Sequence, residues 1–291
     1  MGHNPKEVRE DFGRLLEKVD FCPECRDLKI MNLIKGFYLD PALKPELSAR
    51  AVLVADKKTK TIIFGQNLDK KLYPASTTKI ITAITAKRLM PMDQVVTVKR
   101  VVSEGRVMGL VEGEKITVEN LIYGSLIHSA NDAAFALADA YGYEKFIKEM
   151  NKVAKDLGME NTQFVNPAGF DDPKHYSTAF DLYIASLVLL EDDFFRKVIG
   201  LKNITVSDVS YTYFHRLENV NKLLGELPGV AGIKTGYTEL AGENLISLYK
   251  SYFGNEFILV VLGSKDRFYD TTILINWINS GLKEYKLNLD I

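Results

Sequence analysis

The chain has 291 residues, 46% of them hydrophobic and 26% charged, which is enough apolar material for a large core and lies in the ordinary globular range. Its 37 basic residues balance 38 acidic ones without a long run of either sign, so the charge points neither to nucleic acid nor to a strongly anionic surface. No apolar stretch approaches the roughly 20 residues needed to span a bilayer, and the N-terminus lacks the basic-then-apolar pattern of an export signal; as written, the chain reads as soluble, with a small or peptide-like partner.

Residues 5–20 place Val8, Phe12, Leu15, Leu16 and Val19 at helical spacing and predict an amphipathic helix. Cys22 and Cys25 follow as the only cysteines. One C-x-x-C is half a zinc site or a redox pair, but a zinc ribbon needs a second pair, and the four histidines show no spacing that completes one. "LDPALKPELS" then reads as a linker, with two prolines and no period. The expected organisation is therefore 1–47 as helix, C-x-x-C and linker, and 48–291 as one folded domain.

From Ala49 the pattern becomes that of an α/β (α+β) unit. "ARAVLVAD" and "KTIIFGQNL" predict two strands joined around Lys57 to Thr59, and "ENLISLYKSYFGNEFILVVLGS" predicts a hairpin turning at Gly254 and Asn255. Between them, helices are predicted over 77–89, 117–127, 130–140, 143–157 and 179–190, and "TTILINWINSGLKEY" predicts a C-terminal helix laid on the sheet. Strands at both ends with helices between imply an antiparallel sheet built from both chain ends, flanked by helices, with an all-helical subdomain inserted into it.

Three S-x-x-K matches occur where roughly one is expected by chance at ordinary composition. Ser247 and Lys250 fall in a predicted strand, where i and i+3 point to opposite faces. Ser280 and Lys283 straddle Gly281 near a helix end. Only Ser76 and Lys79 fall on the first turn of a strongly apolar helix, where i and i+3 share a face and free N–H groups point toward the serine. The plain alternative is a helix cap followed by a lysine whose head reaches water.

Two more segments bear on that choice. "IHSANDAAFALAD" holds Ser129 and Asn131, the chain's single S-x-N, where a helix begins; simple N-capping would also explain them. "GVAGIKTGYTELAGENL" holds Lys234, Thr235 and Gly236 as the chain enters its last hairpin, where a lysine guarding an edge strand is the bland reading. The ordered triplet S-x-x-K, S-x-N, K-T-G is that of penicillin-binding proteins and related β-lactamases.

With "LYPASTTKI", "EGEKITVENLIYGSLIHSANDAAFALAD", "LGMENTQFVNPAGFDDPKHYST" and "LPGVAGIKTGYTELAGENL", the chain from about Ala49 onward resembles the D-alanyl-D-alanine carboxypeptidase family, the low-molecular-mass penicillin-binding proteins. Ala130 departs from a common glycine and Ala231 from a frequent aspartate. The resemblance implies a serine peptidase in which Ser76 attacks the carbonyl between two terminal D-alanines, Lys79 is the base and Ser129 relays the proton to the departing amine. Asn131 would hold the substrate amide and the Lys79 head. Lys234 and Thr235 would grip the terminal carboxylate, Gly236 would let the peptide lie along the strand edge, and the N–H groups of Ser76 and Tyr237 would hold the oxyanion. A lysine can serve as base when burial and a nearby cation lower its pKa, and Lys234 is the expected cation.

No metal or organic cofactor is implied. The implied partners are peptidoglycan stem peptides ending in D-Ala-D-Ala and β-lactams as covalent inhibitors, with no nucleic acid and with any membrane association not encoded in this chain. The implied location is extracytoplasmic. The alternatives on the same fold are a DD-endopeptidase, a β-lactamase using a carboxylate among Glu160, Asp171 and Asp172, and a non-catalytic β-lactam sensor.

Overall fold

The structure is a computed structural model that describes residues 45–289, with side chains described as far as Gly281. The expected helix over 5–20 and the Cys22–Cys25 pair lie outside the described residues. Five antiparallel strands form the main sheet: β1 (Ala51–Asp56), β2 (Ile62–Gln66), β7 (Val230–Thr238), β8 (Gly242–Lys250) and β9 (Glu256–Ser264), in the order β2-β1-β9-β8-β7. Strand β1 pairs with β9 in the register Ala51↔Leu262 to Asp56↔Phe257, so the sheet joins both ends of the folded unit.

All six residues of β1 are buried, because both faces of the sheet are covered. Val52 and Val54 pack with Leu274, Ile275 and Ile278 of the C-terminal helix α7 (Arg267–Leu289). Leu53 and Ala55 face the other way, into the core of the insertion. At the centre of that core lies α1 (Lys79–Leu89), whose residues 79 to 86 are all buried; a helix buried all round carries no amphipathic period.

Around it stand α2 (Val118–Leu126), α3 (Asn131–Tyr141), α4 (Tyr143–Asp156), α5 (Ala179–Glu191) and the short α6 (Asp193–Ile199). The insertion is not helical throughout. It also carries two ribbons, β3 (Val95–Thr97) with β4 (Lys115–Thr117), and β5 (Asn203–Ser207) with β6 (Phe214–Glu218).

The linker reading fails at its C-terminal end. Pro45 is buried, Leu47 packs on the β1–α7 core, and Ser48 is tied to α7: its N–H and Oγ donate to the Asp270 carboxylate at 3.1 and 2.8 Å. Asp270 is 1% exposed, so these bonds, with that from Ser264, satisfy a buried charge. A chain shortened to begin at Ala49 is expected to lose about 2 kcal/mol relative to one beginning at Pro45. Thermal denaturation checks this: at about 2–4 °C per kcal/mol, the midpoint should fall by several degrees.

Candidate active site

The chain enters α1 through a 3-10 turn, Ala75–Thr78, so Ser76 precedes the α-helix instead of sharing its first turn with Lys79 as expected. The tighter turn eclipses i and i+3 and brings Lys79 Nζ to 2.9 Å from Ser76 Oγ. Ala75 holds a left-handed φ of 48°, a conformation that costs a non-glycine residue about 1–3 kcal/mol and gathers where geometry is dictated by function. Asn244 of β8 fixes the entry to this turn by donating from Nδ2 to the carbonyls of Tyr73 and Pro74 at 3.1 Å each.

Lys79 is 0% exposed, so it does not reach water. Besides Ser76, its Nζ donates to Asn131 Oδ1 at 2.7 Å and to the Ala168 carbonyl at 2.8 Å. Those two oxygens can only accept. A neutral amine therefore spends its two protons on them, and its lone pair faces the one partner able to donate, the Ser76 hydroxyl. Burial lowers the Lys79 pKa from 10.5 to about 7, against the opposing charge of Asp132. Burial, rather than the charge of Lys234, is the principal cause.

Ser129 and Asn131 do not cap α3. The N-cap is Ala130, without a side-chain bond, and Ser129 takes a left-handed φ of 60° that turns its Oγ toward β7. There Lys234, 2% exposed although it lies on the edge strand, donates from Nζ to Ser129 Oγ at 2.8 Å and to the Thr235 carbonyl at 3.0 Å. The edge-guarding reading of Lys234 thus fails, since a guard must face water. Burial first, then the charges of Lys79, Arg267 and Arg106, hold the Lys234 pKa well below 10.5.

Gly236 packs against the serine turn: a Cβ there would lie 3.1 Å from the Ser76 nitrogen and from the Pro74 carbonyl. Ser76, Ser129, Asn131, Thr235, Gly236 and Tyr237 line one cavity of about 450 Å³ between the β7 edge and the helical insertion. Lys79 and Lys234 form its buried floor through their bonds to Ser76 and Ser129. The structure thus brings all eight expected residues together. Ser247 lies in β8 with its Oγ buried and unbonded, and Ser280 is exposed on α7.

Several contributors escaped the sequence reading. Arg267 lines the cavity, donates from Nη1 to the Gly236 carbonyl at 2.7 Å, and gives its backbone N–H to Glu243 Oε2 at 3.0 Å. Asn166 Oδ1 accepts the N–H groups of Ala168, Gly169 and Phe170 at 3.2, 2.7 and 3.0 Å, which aims the Ala168 carbonyl at Lys79. Gly169 sits at φ +91°, and a Cβ on it would lie 1.8 Å from the Ala75 carbonyl oxygen, so only glycine allows the loop to meet the serine turn.

His175 joins the same two parts. Its Nδ1 accepts from Val165 N–H at 3.1 Å, so Nε2 carries the proton and donates to Thr78 Oγ1 at 2.9 Å. Burial lowers its pKa to about 4, which keeps this bolt neutral. Asn166, Gly169 and His175 stand inside the segment "LGMENTQFVNPAGFDDPKHYST", where no role was read for them, and Arg267 stands outside every segment singled out in the sequence. Among the described residues, no group of three or more His, Cys, Asp or Glu is placed to hold a metal ion.

A serine within hydrogen-bond reach of a buried, deprotonatable lysine, beside a second serine–lysine pair and an open strand edge, defines an acyl-transferring serine enzyme. The chain belongs to the D-alanyl-D-alanine carboxypeptidase family, whose sequence profile matches residues 40–266. It is 35% identical over 199 residues to D-alanyl-D-alanine carboxypeptidase DacF of Bacillus subtilis, covering 65% of this chain and 51% of DacF. It is 35% identical over 253 residues to DacC of Escherichia coli, covering 80% of this chain and 62% of DacC. The chain thus spans between half and two thirds of these curated relatives. The crystal structure of the Streptomyces K15 DD-transpeptidase superposes with a TM-score of 0.76 at 30% identity, over 82% of this chain and 99% of that one.

Proposed function

We propose that this protein is a serine-type D-Ala-D-Ala carboxypeptidase that removes the terminal D-alanine from peptidoglycan stem peptides and is acylated by β-lactams. The observation that carries the proposal is the Lys79 amine, buried, lowered to about 7 and 2.9 Å from Ser76 Oγ. Ser76 Oγ attacks the carbonyl carbon between the two D-alanines, and its proton passes to the Lys79 lone pair. The oxyanion is received by the N–H groups of Ser76 and Tyr237, each such donor contributing about 3 kcal/mol to the transition state.

As the C–N bond breaks, the Ser129 hydroxyl gives its proton to the departing amine, and Lys234 Nζ, at 2.8 Å, restores it. The charge that Lys79 gains lowers the pKa of Lys234 and so eases the release of a proton from Lys234. Before the ester is hydrolysed, the proton that Lys79 took from Ser76 returns to Lys234; water then attacks the ester with the neutral Lys79 as base, and that proton passes to Ser76 Oγ as it leaves, freeing the shortened peptide. Asn131 holds the substrate amide, and Lys234, Thr235 and Arg267 receive the terminal carboxylate. An incoming carboxylate favours the protonated form of Lys234.

The place beside Lys79 and Ser76 that a carboxylate-dependent β-lactamase would need is filled by the Ala168 carbonyl, which cannot act as a base. Asp171 is engaged at the rim by Thr238 Oγ1 at 2.7 Å, and Asp172 accepts the Lys174 N–H at 2.7 Å. Support also comes from a structural neighbour, penicillin-binding protein D2 of Listeria monocytogenes in its ampicillin-bound form, at a TM-score of 0.70 and 29% identity over 80% of this chain and 98% of that one.

The test is product analysis on an N-acylated peptide ending in D-Ala-D-Ala, run beside a chromogenic β-lactam. Release of free D-alanine with slow, stoichiometric β-lactam consumption is expected. Rapid β-lactam turnover with an intact peptide would favour the β-lactamase reading. We place the enzyme outside the cytoplasmic membrane, where that substrate lies; cell fractionation that finds it only in the cytosol would refute the placement. No helix among the described residues is long and apolar enough to cross a membrane.

A further inference from the structure

One wall of the cleft is the loop around residues 104–106, and its backbone is held by side chains from three directions. Asp132, 3% exposed, accepts the N–H groups of Met108, Gly109 and Leu110 at 3.0, 2.9 and 3.0 Å. Glu114, also 3% exposed, accepts the Val111 N–H at 2.9 Å and meets His215 Nε2 at 2.7 Å. His215 Nδ1 donates to the Met108 carbonyl at 3.0 Å. From the cleft side, Asn131 donates from Nδ2 to the Glu104 carbonyl at 2.8 Å and from its backbone to the Arg106 carbonyl at 2.7 Å. Gly105 permits this approach: it sits at φ +69°, and a Cβ on it would lie 2.7 Å from Asn131 Nδ2.

Arg106 is thereby fixed at its backbone beside Asn131, and it lines the cavity that Ser76 lines. Its side chain makes no hydrogen bond or ion pair among the described residues. Its charge is felt at Lys234, at Arg267 and at His128. Arg106 is itself exposed, at the rim of the cleft. Here three cations from three separate elements converge on one end of the cleft, and only Arg267 has a carboxylate beside it, Glu243 at 3.9 Å. Two acidic residues, Glu104 and Glu243, line the same cavity, and the three cations outnumber them.

We propose that Arg106 is a substrate-binding residue that closes on the C-terminal carboxylate of the peptide from the loop wall, facing Arg267 and Lys234 across the cleft. The inference rests on the carboxypeptidase reading and deepens it: the terminal carboxylate becomes a required recognition element, because with a neutral C-terminus the three cations outnumber Glu104 and Glu243, the acidic residues that line the cavity. A guanidinium suits the role, since its planar fork of donors matches a carboxylate and its charge persists at every working pH.

The test uses the full chain, as wild type, Arg106→Gln and Arg106→Lys, on an N-acylated peptide ending in D-Ala-D-Ala and on the same peptide with a C-terminal amide. Wild type should prefer the free carboxylate. In Arg106→Gln the carboxylate-over-amide ratio of kcat/KM should fall about tenfold, the worth of one charge-assisted hydrogen bond, with the loss carried by KM. Arg106→Lys should recover part of it. An unchanged ratio in folded Arg106→Gln overturns the proposal while leaving the carboxypeptidase reading intact, as does a loss confined to kcat, which would make Arg106 a support for Asn131. Failure of wild type to cleave either peptide overturns both.

Discussion

Ser76→Ala is expected to abolish covalent labelling by penicillin and to lower peptide hydrolysis on the order of a millionfold, the scale seen when a catalytic serine is removed. The substitution should leave the fold intact. Ser76 faces the cavity, and its loss leaves Lys79 with two of its three partners, Asn131 Oδ1 and the Ala168 carbonyl. Intact-protein mass spectrometry after incubation with penicillin reads the result: one adduct for wild type and none for the variant. An adduct that persists in Ser76→Ala would defeat the assignment and bring Ser247 and Ser280 back into consideration.

Removing the titratable amine at position 79 should have an effect of similar size and, in addition, a pH signature. With the Lys79 pKa lowered to about 7, the neutral form grows as pH rises through that value, so the second-order rate of β-lactam acylation should rise between pH 6 and 8 and then level off. Lys79→Arg retains a charge that cannot be shed, and Lys79→Met retains most of the volume with no base at all. Both should bind weakly and fail to acylate across pH 5 to 10. Two variants are needed because a guanidinium overfills a fully buried site, whereas methionine does not. Near-normal acylation by either folded variant would exclude the neutral-lysine mechanism.

The parts of the fold legible in the sequence are those whose environment imposes a simple rule. The main strands read clearly because β1, β8 and β9 are long apolar runs bounded by turns, and the amphipathic α4 reads because one side alone is buried. The ribbons were missed for opposite reasons. Strands β3 and β4 have three residues each, too few to show a period. Strand β6 does alternate, but one of its buried positions is His215, whose partner Glu114 lies far away in the chain. A polar residue buried by a distant partner looks, in sequence, like one facing water.

The site divides in the same way. Ser76, Lys79, Ser129, Asn131 and Lys234 were visible because their chemistry depends on local spacing. Arg267, Asn166 and His175 were not, because each acts through a contact that only tertiary folding creates, such as the bond from Arg267 to Gly236. The left-handed backbone at Ala75 and Ser129 was equally hidden, since neither is a residue type that announces such a conformation.

The strand order also sets a timetable. A chain grows and begins to fold from its N-terminus, yet β1 lies against β9, the strand of this sheet that is made last, so the sheet closes late whatever the helices have done by then. Pairings so distant along the chain carry a large loop-closure entropy and are slow to form. The turn bearing Ser76 is held in place by Asn244 on β8 and abuts Gly236 on β7, strands that belong to this late assembly. The reactive serine therefore acquires its geometry only after β7 to β9 have been made, and a partly folded molecule has the helical half of its site without the edge on which substrate must lie.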